Sequence, residues 1–202
     1  MLLKNNKLVE KSSHGTLKVP WLTLCLAVMF ICIYALGENI FNLLVFDRAA
    51  IANGDFWRFF TGHMVHYNFD HLLWDLIAFV ILGSVIELNH PQQLMLSLLI
   101  SSIGVSFWLY YFEPIILTYC GLSGALNGLL VIASMMLWNK TESCIYLFVM
   151  LSTIGKICYE FTTNQTVFVS MSAHPMPSSH LVGFISGLIC FFLLRKKVNM
   201  IE

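Results

Sequence analysis

Ser123 lies in the run Gly121-Leu122-Ser123-Gly124 and opens an apolar stretch that continues to about Trp138; a second apolar stretch opens at His180. A serine hydroxyl becomes a useful nucleophile when a histidine nitrogen within about 2.6–3.2 Å takes its proton. If both stretches cross a bilayer in the same direction, Ser123 and His180 lie at one depth, and nucleophilic catalysis has its minimum equipment. Cys120 offers a second nucleophile type next door, but the glycine frame favours Ser123.

Positioning two groups this way requires membrane helices, and the composition supplies them. Hydrophobic residues make up 58% of the chain and charged residues 11%, and the mean hydropathy is +0.77. These values describe an integral membrane protein. Apolar runs begin near Leu17, Phe69, Gln93, Gly121, Ser143 and Ser179. Each lasts roughly 16–20 residues, about the thickness of the hydrocarbon core at 1.5 Å per residue. The expectation is an all-α, six-span bundle forming one domain over 1–202, with almost no room for a soluble domain.

Lys4, Lys7, Lys11 and Lys18 precede Trp21 to Leu36 with no small-residue cleavage site after it, which reads as a retained signal anchor. With the N-terminus inside, Lys4, Lys7, Lys11, Lys18, Lys140, Arg195, Lys196 and Lys197 are cytoplasmic, against Arg48, Arg58 and Lys156 outside. That bias predicts an N-in, C-in topology, with a basic cytoplasmic segment over 1–16, an outer-face first loop over 37–68 and a cytoplasmic tail over 195–202. The second, fourth and sixth spans then start on the outer face, and their first turns carry His71 with Asp75, Ser123, and His180. Ionisable residues inside a membrane are costly and usually functional. Gly124 and Gly128 form a small-residue face on the fourth span, and Gly183 and Gly187 form another on the sixth. Packing these faces would bring two backbones together and place Ser123 under His180.

Trp57-Arg58, then His66, His71 and Asp75, then Gly121-Leu122-Ser123-Gly124, then His180-Leu-Val-Gly183-Phe-Ile-Ser-Gly187 together resemble the rhomboid intramembrane serine proteases in their six-helix core form. The likeness runs from about Asp55 to Gly187. The shortness of the chain, Thr61-Gly62-His63, Trp74-Asp75 and the Gly121 to Gly128 run look most like the rhombosortase branch. The resemblance implies a Ser/His dyad with no third acid. Ser123 attacks a peptide carbonyl, and His180 serves as general base and then as general acid. It also implies an oxyanion hole built from the Ser123 N–H and second-span side chains. His71 matches the family's histidine, whereas Asp75 stands where an asparagine is usual. An ionised carboxylate would repel an oxyanion. Asp75 is therefore expected either to stay protonated and donate, or to hold His71 as a charged donor from the i+4 position. The implied substrates are transmembrane proteins whose C-terminal anchors carry a Gly-Gly-like stretch, an apolar helix and a basic tail. The implied home is the inner membrane of a Gram-negative bacterium, with the site opening to the periplasm.

The remaining features read more plainly. Phe56-Trp57-Arg58-Phe59-Phe60 is expected to lie in the headgroup region, with Trp57 and Arg58 structural. His63, His66 and His71 lack the framework of a metal site, and neither metal nor cofactor is expected. Lys156 reads as a cation snorkelling to the interface, and Asn127 as a hydrogen bonder within the bundle. The 162–179 loop, with His174, Pro175 and Pro177, reads as a linker or a gate. Cys25, Cys32, Cys144 and Cys190 read as small hydrophobes, while Cys120 and Cys158 sit near the face where they could oxidise. Three other classes compete: a non-catalytic binder of transmembrane helices, a cytochrome with His71 and His180 as haem ligands, and a small transporter.

Overall fold

The computed structural model describes residues 18–165 and 176–198; the expected basic segment 1–16, His174 and Pro175 of the suggested gate, and 199–202 of the tail lie outside them. In chain order the elements are α1 (Trp21–Ala35), α2 (Glu38–Leu44), β1 (Phe46–Asp47), α3 (Arg48–Ala52), α4 (Arg58–Thr61), a 3-10 turn (Gly62–Met64), α5 (Phe69–Asn89), α6 (Pro91–Phe112), β2 (Thr118–Tyr119), α7 (Ser123–Thr141), α8 (Ile145–Thr163) and α9 (Pro177–Val198).

Six helices match the six apolar runs in position, but not all of them are long and apolar enough to cross a membrane alone. Among the described residues α5, α6, α8 and α9 are long and apolar enough to cross a membrane, and α1 joins them only together with α2, across a bend of 116°. At 15 residues α1 is only about 22 Å long, short of the hydrocarbon core. Burial accounts for α7, whose residues Gly124 to Leu129 and Val131 to Met135 are all buried. It packs on α5, α6, α8 and α9. A helix sheathed by other helices need not be apolar all round, so Ser123, Asn127 and Ser134 are tolerated there. The surrounding helices turn large apolar side chains outward instead, among them Ile81, Phe107, Phe148, Leu151 and Phe192.

Close backbone approach sets α7 against α9. A Cβ on Gly183 would fall on the carbonyl of Gly124, one on Gly187 on the carbonyl of Gly128, and one on Gly128 within 2.8 Å of the Gly183 carbonyl oxygen. Hydrogen at these Cα positions is what permits the two helices to touch along their backbones. At the other end of the bundle, Glu87 caps the start of α1. It accepts from the Leu22 and Thr23 N–H groups at 2.9 and 2.7 Å, and from the Thr23 hydroxyl at 2.7 Å.

The loop between α1 and α5 is a tethered structure. Arg58 donates to the carbonyls of Asn42 and Val45 at 2.9 and 2.8 Å and pairs with Asp55 at 3.0 Å. Arg48 caps the C-terminal end of α6, donating to the carbonyls of Leu109, Tyr110, Glu113 and Ile116. Strands β1 and β2 pair antiparallel, Phe46 opposite Tyr119 and Asp47 opposite Thr118. The Gly121 N–H continues the link, reaching the Gly62 carbonyl at 3.1 Å. Arg48 thus donates to backbone alone and Arg58 to backbone and the Asp55 carboxylate, and the loop holds the segment that leads into Ser123.

Candidate active site

Ser123 is the first residue of α7. Its backbone N–H belongs to the helix turn that has no partner within the helix, and it lies at the positive end of the helix dipole. Gly121, two residues before, has φ +104°, and a Cβ there would run into the His71 ring. Only glycine meets both demands at this corner. Asn127 sits one turn on and donates from its side chain to the Ser123 carbonyl at 2.8 Å.

His180 occupies the first turn of α9 and is buried. Its Nε2 lies 3.1 Å from Ser123 Oγ. Its Nδ1 lies 2.6 Å from Oε2 of Glu160, near the end of α8. The Lys156 Nζ lies 2.8 Å from Oε1 of the same carboxylate. Lys156, expected as a snorkelling cation, has this carboxylate as its partner. It faces Glu160 at the i,i+4 spacing on one helix, because a fully buried carboxylate needs a countercharge. Glu160 went unnoticed in the sequence. The available signal was the pair Lys156 and Glu160, two charges one helical turn apart inside an apolar run.

On the opposite wall, His71 and Asp75 project from α5. Asp75 Oδ2 accepts the Leu122 N–H at 2.7 Å and lies 3.2 Å from His66 Nε2. An oxygen so engaged anchors the backbone entering α7 and is not a donor aimed at Ser123. His71 Nε2 is 3.4 Å from the same oxygen, within ion-pair reach at the i,i+4 spacing when the ring is protonated. Both ring nitrogens of the buried His71 are without a hydrogen-bond partner among the described residues. His66 and His71 meet edge to face, 5.0 Å between centroids.

His63 points elsewhere, its Nε2 2.9 Å from Ser106 Oγ. Burial lowers its pKa to about 4, so it is a neutral packing residue. His63 thus stands apart from the His66–His71 pair, and no group of three or more His, Cys, Asp or Glu among the described residues could hold a metal ion. Nor is His180 free to ligate a haem, since both of its nitrogens are engaged. Cys120 is buried, and burial pushes its thiol up to about 12, which disfavours the thiolate a cysteine nucleophile needs. Cys120 and Cys158 are both free thiols.

Ser123, His180, Glu160, His71 and Asp75 border a cavity of about 620 Å³. One wall is α5, with His71, Trp74, Asp75, Ala78 and Leu82; the facing wall is α8, with Ser152, Thr153, Gly155, Tyr159 and Glu160; Ser123 and His180 close it from α7 and α9. The arrangement offers a hydroxyl, a base in contact with it and unpaired donors beside both, in an open pocket that is mostly apolar.

Comparison with known proteins decides the lineage. The rhomboid domain family matches residues 53–197. The chain belongs to the rhomboid family. It is also 24% identical over 152 residues to a protein of Bacillus subtilis (strain 168) described as "Putative rhomboid protease YdcA", covering 73% of this chain and 71% of that one. The rhomboid match spans every helix from α4 to α9, and so takes in all the residues that border the cavity. Membership of this family, with its apolar helices, supports protease-type function carried out within a membrane by a multi-pass protein.

Proposed function

We propose that this rhomboid protein is an intramembrane serine endopeptidase with Ser123 as nucleophile and His180 as its base. The observation that carries the reading is the 3.1 Å approach of His180 Nε2 to Ser123 Oγ at the edge of an apolar cavity. As Oγ bonds to a peptide carbonyl carbon, its proton passes to Nε2. The oxygen of the tetrahedral intermediate faces the Ser123 N–H and a ring N–H of His71. Collapse breaks the C–N bond, and the proton on Nε2 leaves with the amine. Water then gives a proton to Nε2, attacks the acyl ester, and Ser123 departs carrying that proton back. Asp75 contributes by fixing the Leu122 amide, and Gly121, Gly124, Gly128, Gly183 and Gly187 by permitting the approach of α7, α9 and the His71 ring.

Substrates on this reading are transmembrane segments, unwound locally so that a peptide bond enters between α5 and α8. The bias of eight basic residues against three supports an N-in, C-in topology with the site opening to the periplasmic side of a bacterial inner membrane. Thr61-Gly62-His63, Trp74-Asp75 and the Gly121 to Gly128 run support the rhombosortase branch, and with it C-terminal anchors carrying Gly-Gly-type tails as the cleaved class.

The test is cleavage, in membranes, of a co-expressed reporter ending in a Gly-Gly-type transmembrane tail, with fluorophosphonate labelling of the enzyme in parallel. Wild-type protein is expected to cut the reporter and to take the label, and Ser123→Ala to do neither. Labelling without cleavage would reject the substrate class alone; neither would leave a rhomboid that binds transmembrane helices without cutting them.

The oxyanion assignment makes a separate prediction. His71→Ala is expected to lower the cleavage rate by roughly 10²–10³-fold, the usual cost of one oxyanion donor. Asp75→Asn is expected to keep much of the activity, since an amide oxygen can still accept from Leu122. Equal losses in the two variants would take His71 out of the oxyanion site.

A further inference from the structure

We propose that Glu160 is a positioning residue for His180, so that the site operates as a Ser123–His180–Glu160 triad and not as a two-residue dyad. This rests on the reading of Ser123 and His180 as nucleophile and base. Its own observation is the 2.6 Å contact between His180 Nδ1 and Glu160 Oε2, which joins α8 to α9.

The contact has the length of a charge-assisted hydrogen bond. Glu160 is fully buried, and its other oxygen faces the Lys156 ammonium at 2.8 Å. A buried Lys–Glu pair contributes little to folding that apolar residues of similar volume would not contribute as well. Packing therefore does not account for a carboxylate here, whereas the geometry at Oε2 does. Few α8 residues are buried; Thr153, Ile157 and Glu160, at spacings of four and three, form the stripe that faces the bundle. Glu160 is the member of that stripe level with His180.

The chemical consequence is a fixed tautomer. A carboxylate paired with an ammonium can only accept, so Nδ1 of His180 carries the proton and Nε2 presents its lone pair to the Ser123 hydroxyl. When Nε2 takes the serine proton, the resulting imidazolium remains 2.6 Å from a negative oxygen. No proton moves onto Glu160; it orients the ring and stabilises the charge that the ring acquires.

Removing the charge and shortening the reach have different signatures. Glu160→Gln keeps the size, but its amide NH₂ can donate to Nδ1, which moves the ring proton to Nε2 and blocks the base. Glu160→Asp shortens the reach and keeps the charge. The measurement is the rate of Ser123 labelling by a fluorophosphonate in purified full-length protein, with Ser123→Ala as the blank, alongside ¹⁵N spectra of the His180 ring. Labelling of Glu160→Gln is expected to fall by roughly 10²–10⁴-fold, with Glu160→Asp recovering part of the loss. The His180 spectrum is expected to show Nδ1–H in wild type and Nε2–H in Glu160→Gln. Wild-type labelling kinetics in Glu160→Gln would overturn the inference, as would an unchanged ring tautomer. Absence of labelling in wild-type protein would instead overturn the protease reading, and the tautomer spectra would still decide whether Glu160 orients the ring. Should Glu160→Gln fail to fold, the wild-type spectrum and the Glu160→Asp rate carry the test.

Discussion

His180→Ala is expected to lower the rate of Ser123 acylation by roughly 10²–10⁴-fold while leaving the protein folded. The size of the effect follows from the 3.1 Å contact: without Nε2 the Ser123 hydroxyl has no base in reach. The fold is expected to survive because His180 borders the cavity, and Glu160 keeps Lys156 as its countercharge when the ring is gone. Comparison with Ser123→Ala sharpens the prediction. If the two groups act as one unit, the double variant Ser123→Ala/His180→Ala is no slower than the worse single variant. Losses that multiply would mean that His180 acts independently of Ser123. Reporter cleavage in membranes, corrected for the amount of folded enzyme, reads both.

Gly183→Ala is expected to act on the other side of the ledger, destabilising the bundle and silencing the site together. A methyl group there falls on the Gly124 carbonyl, and a backbone carbonyl in a buried helix cannot swing aside as a side chain would. Overpacking of this kind usually costs about 1–3 kcal/mol, and relief requires α7 and α9 to part. Any separation carries His180, one turn before Gly183, away from Ser123. Thermal unfolding in detergent is expected to shift clearly downward, with Gly187→Ala behaving similarly at the Gly128 carbonyl. Gly155→Ala is the control for stability, since a Cβ there meets nothing within 4 Å. A Gly183→Ala protein that melts with wild type would mean that α7 and α9 do not touch at this point.

Several parts of this arrangement were legible in the residues because they depend on one-dimensional regularities. Span length and direction place Ser123 and His180 at one depth, and a four-residue period places Gly124 with Gly128 and Gly183 with Gly187 on single helix faces. The roles of Arg48 and Arg58 were less visible, since their acceptors are backbone carbonyls with no sequence signature. Of the six spans expected, four helices among the described residues, or five with the bent α1–α2 pair, are long and apolar enough to cross a membrane. Apolar runs locate helices, but whether a helix such as α7 faces lipid or other helices is settled by its neighbours.

Asp75 and Glu160 mark the boundary most clearly. The i,i+4 spacing from His71 told that Asp75 was near the ring, but not that its Oδ2 would turn to the Leu122 amide, 47 residues along the chain. Glu160 lies in a run that hydropathy alone would assign to lipid. Its meeting with His180 depends on the rotation of α8 about its axis and on its height against α9. The sequence alone therefore determined an all-α membrane chain of the rhomboid type, with a serine and a histidine able to meet across a glycine seam. Only the tertiary structure decided which carboxylate reaches which histidine. Helical periodicity specifies the face a side chain occupies, whereas contact between faces on different helices is set by packing that no local pattern encodes.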